Sequence, residues 1–391
     1  MNTLTRSLLL IIIICIALVI AFSSAFAGEG DAPSDDNVLC IPGAYVNVAT
    51  DCQLSGPSQY LTELAEHGFS FPVESLPGKG PDINLTYVEY SYAIMRMERT
   101  PVYGSMEAAL EGKEKNAARY INAPFAYVSY NDDIVIDGKR IYQIEENAWM
   151  TANDVIRITP PRFQGLTFEH TPVHPFAWVL SYLSATTYVE TKRTPSRNSE
   201  DYTGHQLDNY EIVWIYDTVE SDGVQWYMVG PDEWLPQNLI ARVIPNTTPP
   251  EGVPGGRWIE LNLFEQTLAV YDNYELVFAT LVASGLDPLW TRPGLFQIYE
   301  MYAATIMDGV SVAALSSDYY LEDVPWTMYF DGSRALHGAY WRANLGLPQS
   351  HGCVNLSVGD AHWIYDWVEL GDWIYVWDPS GETPTDAESY K

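Results

Sequence analysis

The chain has 391 residues, a length that suits two or three domains, and its 13 Trp and 27 Tyr bring aromatics to 13% of the composition. Such enrichment suits β-rich domains, where aromatic side chains fit half-buried pleated faces. Twenty Lys and Arg against 51 Asp and Glu leave a net charge of −31, and with no basic patch in the sequence that field argues against nucleic acid and anionic membrane surfaces as partners.

The N-terminus reads as an export signal. Arg6 supplies a positive start, Leu8 to Phe22 are unbroken apolar residues, and Ala25-Phe26-Ala27 offers a small-x-small cleavage site before Gly28. We therefore expect a signal peptide over 1–27 and an extracytoplasmic location, cell-wall associated or secreted. The apolar run falls short of the roughly 20 residues a membrane span needs; retention as an anchor stands as the alternative. Ile14 is too bulky for the small residue a lipoprotein signal requires before Cys15. Removing the signal leaves Cys40, Cys52 and Cys353. Residues 28–88 read as an acidic tether and disulfide-bearing segment, with Cys40 and Cys52 the candidate pair around Pro42-Gly43. Cys353 is then the odd thiol.

An internal repeat follows. "IDGKRIYQIEENAWMTANDVIRITP" (136–160) aligns without gaps on "SDGVQWYMVGPDEWLPQNLIARVIP" (221–245) at a constant offset of 85. Asp137-Gly138 falls on Asp222-Gly223, Tyr142 on Tyr227, Trp149 on Trp234, Asn153 on Asn238 and Pro160 on Pro245. Each unit reads as short strands around an Asp-Gly turn, with a Trp-centred bend and a closing strand. The units, placed at 89–160 and 182–245, resemble bacterial Src-homology-three-like barrels, which implies possible cell-wall binding. The bland alternative, rigid spacers whose Trp residues are core, stands beside it. "NTTPPEGVPGG" (246–256) is a Pro/Gly linker.

The pattern then changes. "RWIELNL" (257–263) alternates, with Ile259, Leu261 and Leu263 on one face, and 267–285 reads as two strands around an Asp272-Asn273 turn. Further strand signals occupy 292–300, 324–330 and 372–378. One helix is expected over 357–371, with Ser357 as N-cap, Asp360 at the third position, Ala361, Ile364 and Val368 as its stripe, and Gly371 as its stop. Residues 379–391 are polar and expected to be a flexible tail.

Histidine and cysteine concentrate in "LHGAYWRANLGLPQSHGCVN", where His337 precedes Cys353 by 16 positions. A thiol must lose its proton to attack a carbonyl, and imidazole is the usual base near neutral pH. Backbone N–H groups beside Gly352 suit a developing oxyanion, and glycine there lets a peptide approach closely.

"HG…SHGCVN" resembles the signature of the L,D-transpeptidase (YkuD-type) family, and residues 257–378 follow that family's order of segments. Two departures, Ala283-Ser284-Gly285 and Arg292, fall off the chemical residues. The resemblance implies that Cys353 is the nucleophile and His337 the base, with the Gly338 carbonyl holding its tautomer. Backbone N–H groups of His351, Gly352 and Cys353 would form the oxyanion hole, and Ser350 and Asn355 would shape the site. Tyr329 and Trp341 are placed as cleft walls from position alone. The implied reaction is acyl exchange on peptidoglycan stem peptides, with release of D-Ala and formation of an L,D cross-link, and it needs neither metal nor organic cofactor. The fold class expected is mainly β: a C-terminal L,D-transpeptidase-type sandwich with one capped helix, after two small β-barrel repeats.

The same residues admit rival readings. A zinc site from His337, His351, Cys353 and His362 lacks the paired spacings of structural zinc. A papain-like wall peptidase of the NlpC type has cysteine before histidine, and here the order is reversed. Hydrolysis in place of transfer (an L,D-carboxypeptidase) and a non-catalytic wall-binding protein remain the alternatives.

Overall fold

The computed structural model describes Leu64 and residues 76–309 and 319–390. Every described strand lies within residues 75–391. The expected signal peptide, the Cys40–Cys52 pair and most of the tether fall outside the described residues.

The C-terminal part is a sandwich of two sheets. The first carries Trp258–Asn262 in its interior, antiparallel to Thr267–Asp272 and parallel to Trp373–Trp377. Thr267–Asp272 turns through Asn273 and Tyr274, both at positive φ, into Glu275–Leu281, as a two-residue hairpin connection demands. Alternation predicts one buried face for Trp258–Asn262, yet all five residues are buried. Ile259 and Leu261 face the sandwich core with Val354, Leu356, Ala361 and Ile364. Trp258 packs on the opposite side with Tyr271, Phe176, Trp178 and Val243, so the face that should meet solvent is covered by the second repeat.

The second sheet runs Val354–Leu356, Arg334–Gly338, Tyr319–Asp331, then Phe125–Tyr130, Ser91–Met95 and Val155–Ile158, with Glu300–Gly309 also on Tyr319–Asp331. Its last three strands belong to the first repeat. They join through a parallel pairing that sets Phe125 on Tyr319 and Tyr127 on Leu321.

The two repeats share one strand order. In the first, a five-stranded sheet runs Ala117–Asn122, Arg99–Tyr103, Ala148–Thr151, Lys139–Glu145, Asp132–Ile136; in the second it runs Tyr202–Leu207, Val189–Lys192, Glu233–Pro236, Val224–Gly230, Asp217–Ser221. Both Asp-Gly turns carry positive φ at each residue. The Trp-centred bends are strands: Trp149 and Trp234 sit within Ala148–Thr151 and Glu233–Pro236. The second unit also takes in Phe176–Val179, ahead of its expected start at 182, because this strand pairs with Ile212–Trp214 and Ile240–Val243.

The helix spans Val358–Trp367, capped by the Ser357 hydroxyl, which accepts from the Asp360 N–H at 3.1 Å. It ends at Val368, short of Gly371; that glycine, at φ 98°, instead donates its N–H to the Ile298 carbonyl. Asp360 is fully buried and accepts from the Gly165 N–H at 2.9 Å and the Thr280 hydroxyl at 2.6 Å, which ties the helix to the inter-repeat segment. Burial pushes its carboxyl up to about 6. The expected flexible tail carries local structure through Tyr390. Asp378 accepts from Ser380 and Thr383, and Arg334 lies over the Tyr390 ring.

Candidate active site

Arg334–Gly338 and Val354–Leu356 are parallel neighbours in a register that sets His337 beside Asn355. The Asn355 backbone is fixed from the other sheet, its N–H and C=O exchanging hydrogen bonds with Ala283 at 3.0 and 2.9 Å. His337 is 2% exposed. Its Nε2 lies 3.1 Å from Asn355 Nδ2, and its Nδ1 lies 3.4 Å from the Gly338 oxygen. Arg342 Nε donates to Asn355 Oδ1 at 3.0 Å. A guanidinium can only donate, so the amide must turn its oxygen to Arg342 and its NH₂ to the ring. Nε2 is then the acceptor and Nδ1 carries the proton toward Gly338, the tautomer a base at Nε2 requires. Burial, with a smaller contribution from Arg342, pulls the imidazole down to about 4 against the opposing Gly338 carbonyl. The ring is neutral at ordinary pH.

Cys353 is partly exposed and immediately precedes Val354–Leu356. Its thiol donates to the Ser333 carbonyl at 3.5 Å. Burial pushes the thiol up, opposed by the Ala335 N–H and the Arg334 guanidinium. The His337 imidazole and the Cys353 thiol thus rest as neutral groups, each held by another partner.

The turn before the cysteine is built by Ser350. Its hydroxyl accepts the Gly352 N–H at 3.1 Å and donates to the Cys353 carbonyl. Gly352 sits at φ 115°, and its carbonyl accepts from the Thr291 hydroxyl at 2.9 Å. Of the three N–H groups expected to form an oxyanion hole, that of Gly352 is engaged by the Ser350 hydroxyl.

A cleft of about 270 Å³ gathers Cys353, His337, Ser350, His351, Asn355 and Trp341. The Trp341 ring lies 5.6 Å from that of His337. Tyr329, expected as a wall, does not line this cleft. Its phenol is raised by burial and then by Cys353, while its ring turns toward Tyr302 at 6.3 Å. His362 stands apart, stacked on Trp326 at 3.9 Å with Nδ1 3.1 Å from the Leu85 oxygen, so the four-residue zinc set does not converge. Sequence reasoning missed Phe125, Met307, Tyr319, Leu321 and Arg342, which complete the lining. Phe125 comes from the first repeat, and only the sheet pairing brings it here.

Residues 256–376 match the family model of the YkuD L,D-transpeptidase catalytic domain. L,D-transpeptidase 2 of Mycobacterium tuberculosis is 33% identical over 121 residues, 30% of this chain and 30% of that protein. L,D-transpeptidase 1 of the same organism is 29% identical over 199 residues, 49% of this chain and 75% of its own length. The chain therefore spans under a third of the first of these relatives. Among solved structures, a cysteine-to-serine mutant of the Enterococcus faecium L,D-transpeptidase is 21% identical, with a TM-score of 0.29, over 31% of this chain and 50% of that one. The Mycobacterium smegmatis L,D-transpeptidase is 17% identical, with a TM-score of 0.30, over 55% and 90%.

Proposed function

With residues 256–376 identified as an L,D-transpeptidase catalytic domain of the YkuD type, we propose that the chain is a cysteine-dependent acyltransferase acting on peptidoglycan stem peptides. The observation that carries the reading is the single cleft shared by the Cys353 thiol and the His337 imidazole, whose accepting nitrogen is fixed by Asn355.

The stem peptide enters with the carbonyl of its diamino acid over Cys353. His337 Nε2 takes the thiol proton as sulfur attacks, so charge forms during the reaction and is not stored beforehand. Backbone N–H groups of the turn at 351–353 receive the oxyanion. Collapse forms the thioester and expels D-Ala, whose amine takes the proton back from His337. An amine of a second stem then attacks the thioester, His337 removes its proton, and an amide L,D cross-link forms as the thiol is regenerated. Water in that step yields a tripeptide, the carboxypeptidase outcome. The work would be done outside the membrane, with the two repeats engaging the wall.

The test is incubation of the purified protein with a disaccharide-tetrapeptide, with products read by mass spectrometry. Dimers linked between two diamino acids, absent with Cys353→Ala, are expected. Tripeptide without dimers would make the enzyme a hydrolase. No turnover would leave the repeats as the functional half.

A further inference from the structure

We infer that Arg342 is the residue that selects the acyl donor, by binding a carboxylate of the stem peptide beside the reacting carbonyl. The inference deepens the transpeptidase reading and rests on it. The lining of the cleft is apolar on its walls, with Phe125, Met307, Tyr319, Leu321 and Trp341, and polar at Cys353, His337, Ser350, His351, Asn355 and Arg342. Among these described residues the guanidinium carries the one permanent charge, because none is acidic and the two histidines are pulled toward neutrality by burial. Among the described residues no carboxylate lies within ion-pair distance of it, although the whole chain has 51 Asp and Glu.

The hydrogen-bond partners of Arg342 are neutral. Nε donates to Asn355 Oδ1 at 3.0 Å, Nη2 to the Gln349 carbonyl at 2.6 Å and Nη1 to Gln349 Oε1 at 3.4 Å. These bonds fix the plane of the fork, yet five N–H donors exceed three acceptors. The remaining donors, on the Nη atoms, are preorganised for a carboxylate, the partner a guanidinium fork fits best. A partly buried cation without a counter-charge is costly in an apolar cleft, and an anionic ligand removes that cost. It also offsets the repulsion that a chain of net charge −31 exerts on a negatively charged substrate. Arg342 touches Asn355, which touches His337, so the bound carboxylate lies close to the reaction centre. Two carboxylates of a tetrapeptide donor meet that description: that of the departing D-Ala and that on the side arm of the diamino acid.

The test compares three donors, a tetrapeptide, its D-Ala carboxamide and its diamino-acid side-arm carboxamide, on wild type, Arg342→Gln and Arg342→Lys. Wild type is expected to prefer the free acid over one of the two amides by about 10- to 100-fold in kcat/KM, the range of a charge-assisted hydrogen bond. The amide that loses identifies the carboxylate. Arg342→Gln should bring that ratio close to one, and Arg342→Lys should restore part of it. A wild-type ratio near one, or an unchanged ratio with all rates lowered equally in Arg342→Gln, overturns the inference; the second result would make Arg342 a positioning residue acting through Asn355. If no donor turns over, the transpeptidase reading fails separately. Protection of Cys353 from iodoacetamide by the free-acid tetrapeptide then decides: protection lost in Arg342→Gln supports the carboxylate site, and equal protection in both refutes it.

Discussion

Phe125 and Tyr210 hold the same position in the two repeats, at the same offset of 85 that relates the Asp-Gly turns, yet they do different work. Phe125 opens the strand that pairs with Tyr319–Asp331, and its ring lines the cleft. Tyr210, at φ 63°, turns its hydroxyl to accept the Leu345 N–H at 3.1 Å, while Tyr182 donates to the Leu345 carbonyl at 2.6 Å. Leu345 lies in the loop that carries Arg342 and Gln349. The first repeat is therefore part of the cleft wall, and the second supports the loop behind it. A duplicated unit acquires its role from the edge it presents: one three-stranded sheet continues into the catalytic sheet, and the other stands apart from it.

The two junctions also differ in charge. Glu265 is buried against the second repeat, accepting from Tyr227 Oη at 2.5 Å and from Arg242 Nε and backbone N–H, each at 3.1 Å. Removing one partner of such a pair strands the other, so Glu265→Ala should cost about 3–5 kcal/mol, read by chemical denaturation. A loss under ~1 kcal/mol would mean that the second repeat is held by packing alone. At the first repeat, Glu322 accepts the Ser129 N–H at 3.0 Å and the Tyr320 hydroxyl at 2.7 Å, both neutral donors. Burial raises this carboxyl to about 7. A raised acid contributes stability that is complete below the unfolded value near 4.5 and is lost as pH climbs through about 7. Glu322→Gln should therefore be more stable than wild type at pH 8, on the order of 2–3 kcal/mol, with the gain fading toward pH 4. A gain that does not vary with pH would show that Glu322 does not titrate in this range.

Smaller effects separate the two equivalent aromatic residues. Phe125→Ala removes a cleft wall and should lower kcat/KM for the tetrapeptide about tenfold, the equivalent of ~1.4 kcal/mol of lost apolar contact. Tyr210→Phe installs the first repeat's residue in the second and removes one hydrogen bond. That should cost about 1 kcal/mol of stability, with a change in kcat/KM of only a few-fold. Equal kinetic penalties for the two would erase the distinction between wall and support.

The proposed reactive pair was legible because its signal is local: His337 and Cys353 lie 16 positions apart, flanked by glycines and followed by the Ser357 cap. Three things were hidden for physical reasons. Phe125 reaches the cleft only through a parallel pairing across most of the described chain, and no periodicity encodes that pairing. The engagement of the Gly352 N–H depends on the rotamer of Ser350, which the motif leaves open. Trp258–Asn262 alternates as though half exposed, and only the second repeat's Trp178 and Phe176 explain why both faces are dry. Gly371 looked like a helix stop because a left-handed glycine commonly follows a helix, but here the chain leaves the helix at Val368 and uses the glycine three residues later.

The central claim is that Cys353 attacks as a neutral thiol with a neutral, buried His337 as its base. The most direct test is the rate of meropenem acylation across pH, followed by intact mass and mapped by peptide digestion. A base held down to about 4 and a thiol pushed up by burial predict one adduct, on Cys353, forming at a rate that is level from roughly pH 5 to pH 8 and falls only below that range. An adduct elsewhere, or an acid limb near the ordinary histidine value of about 6.5, would contradict the account.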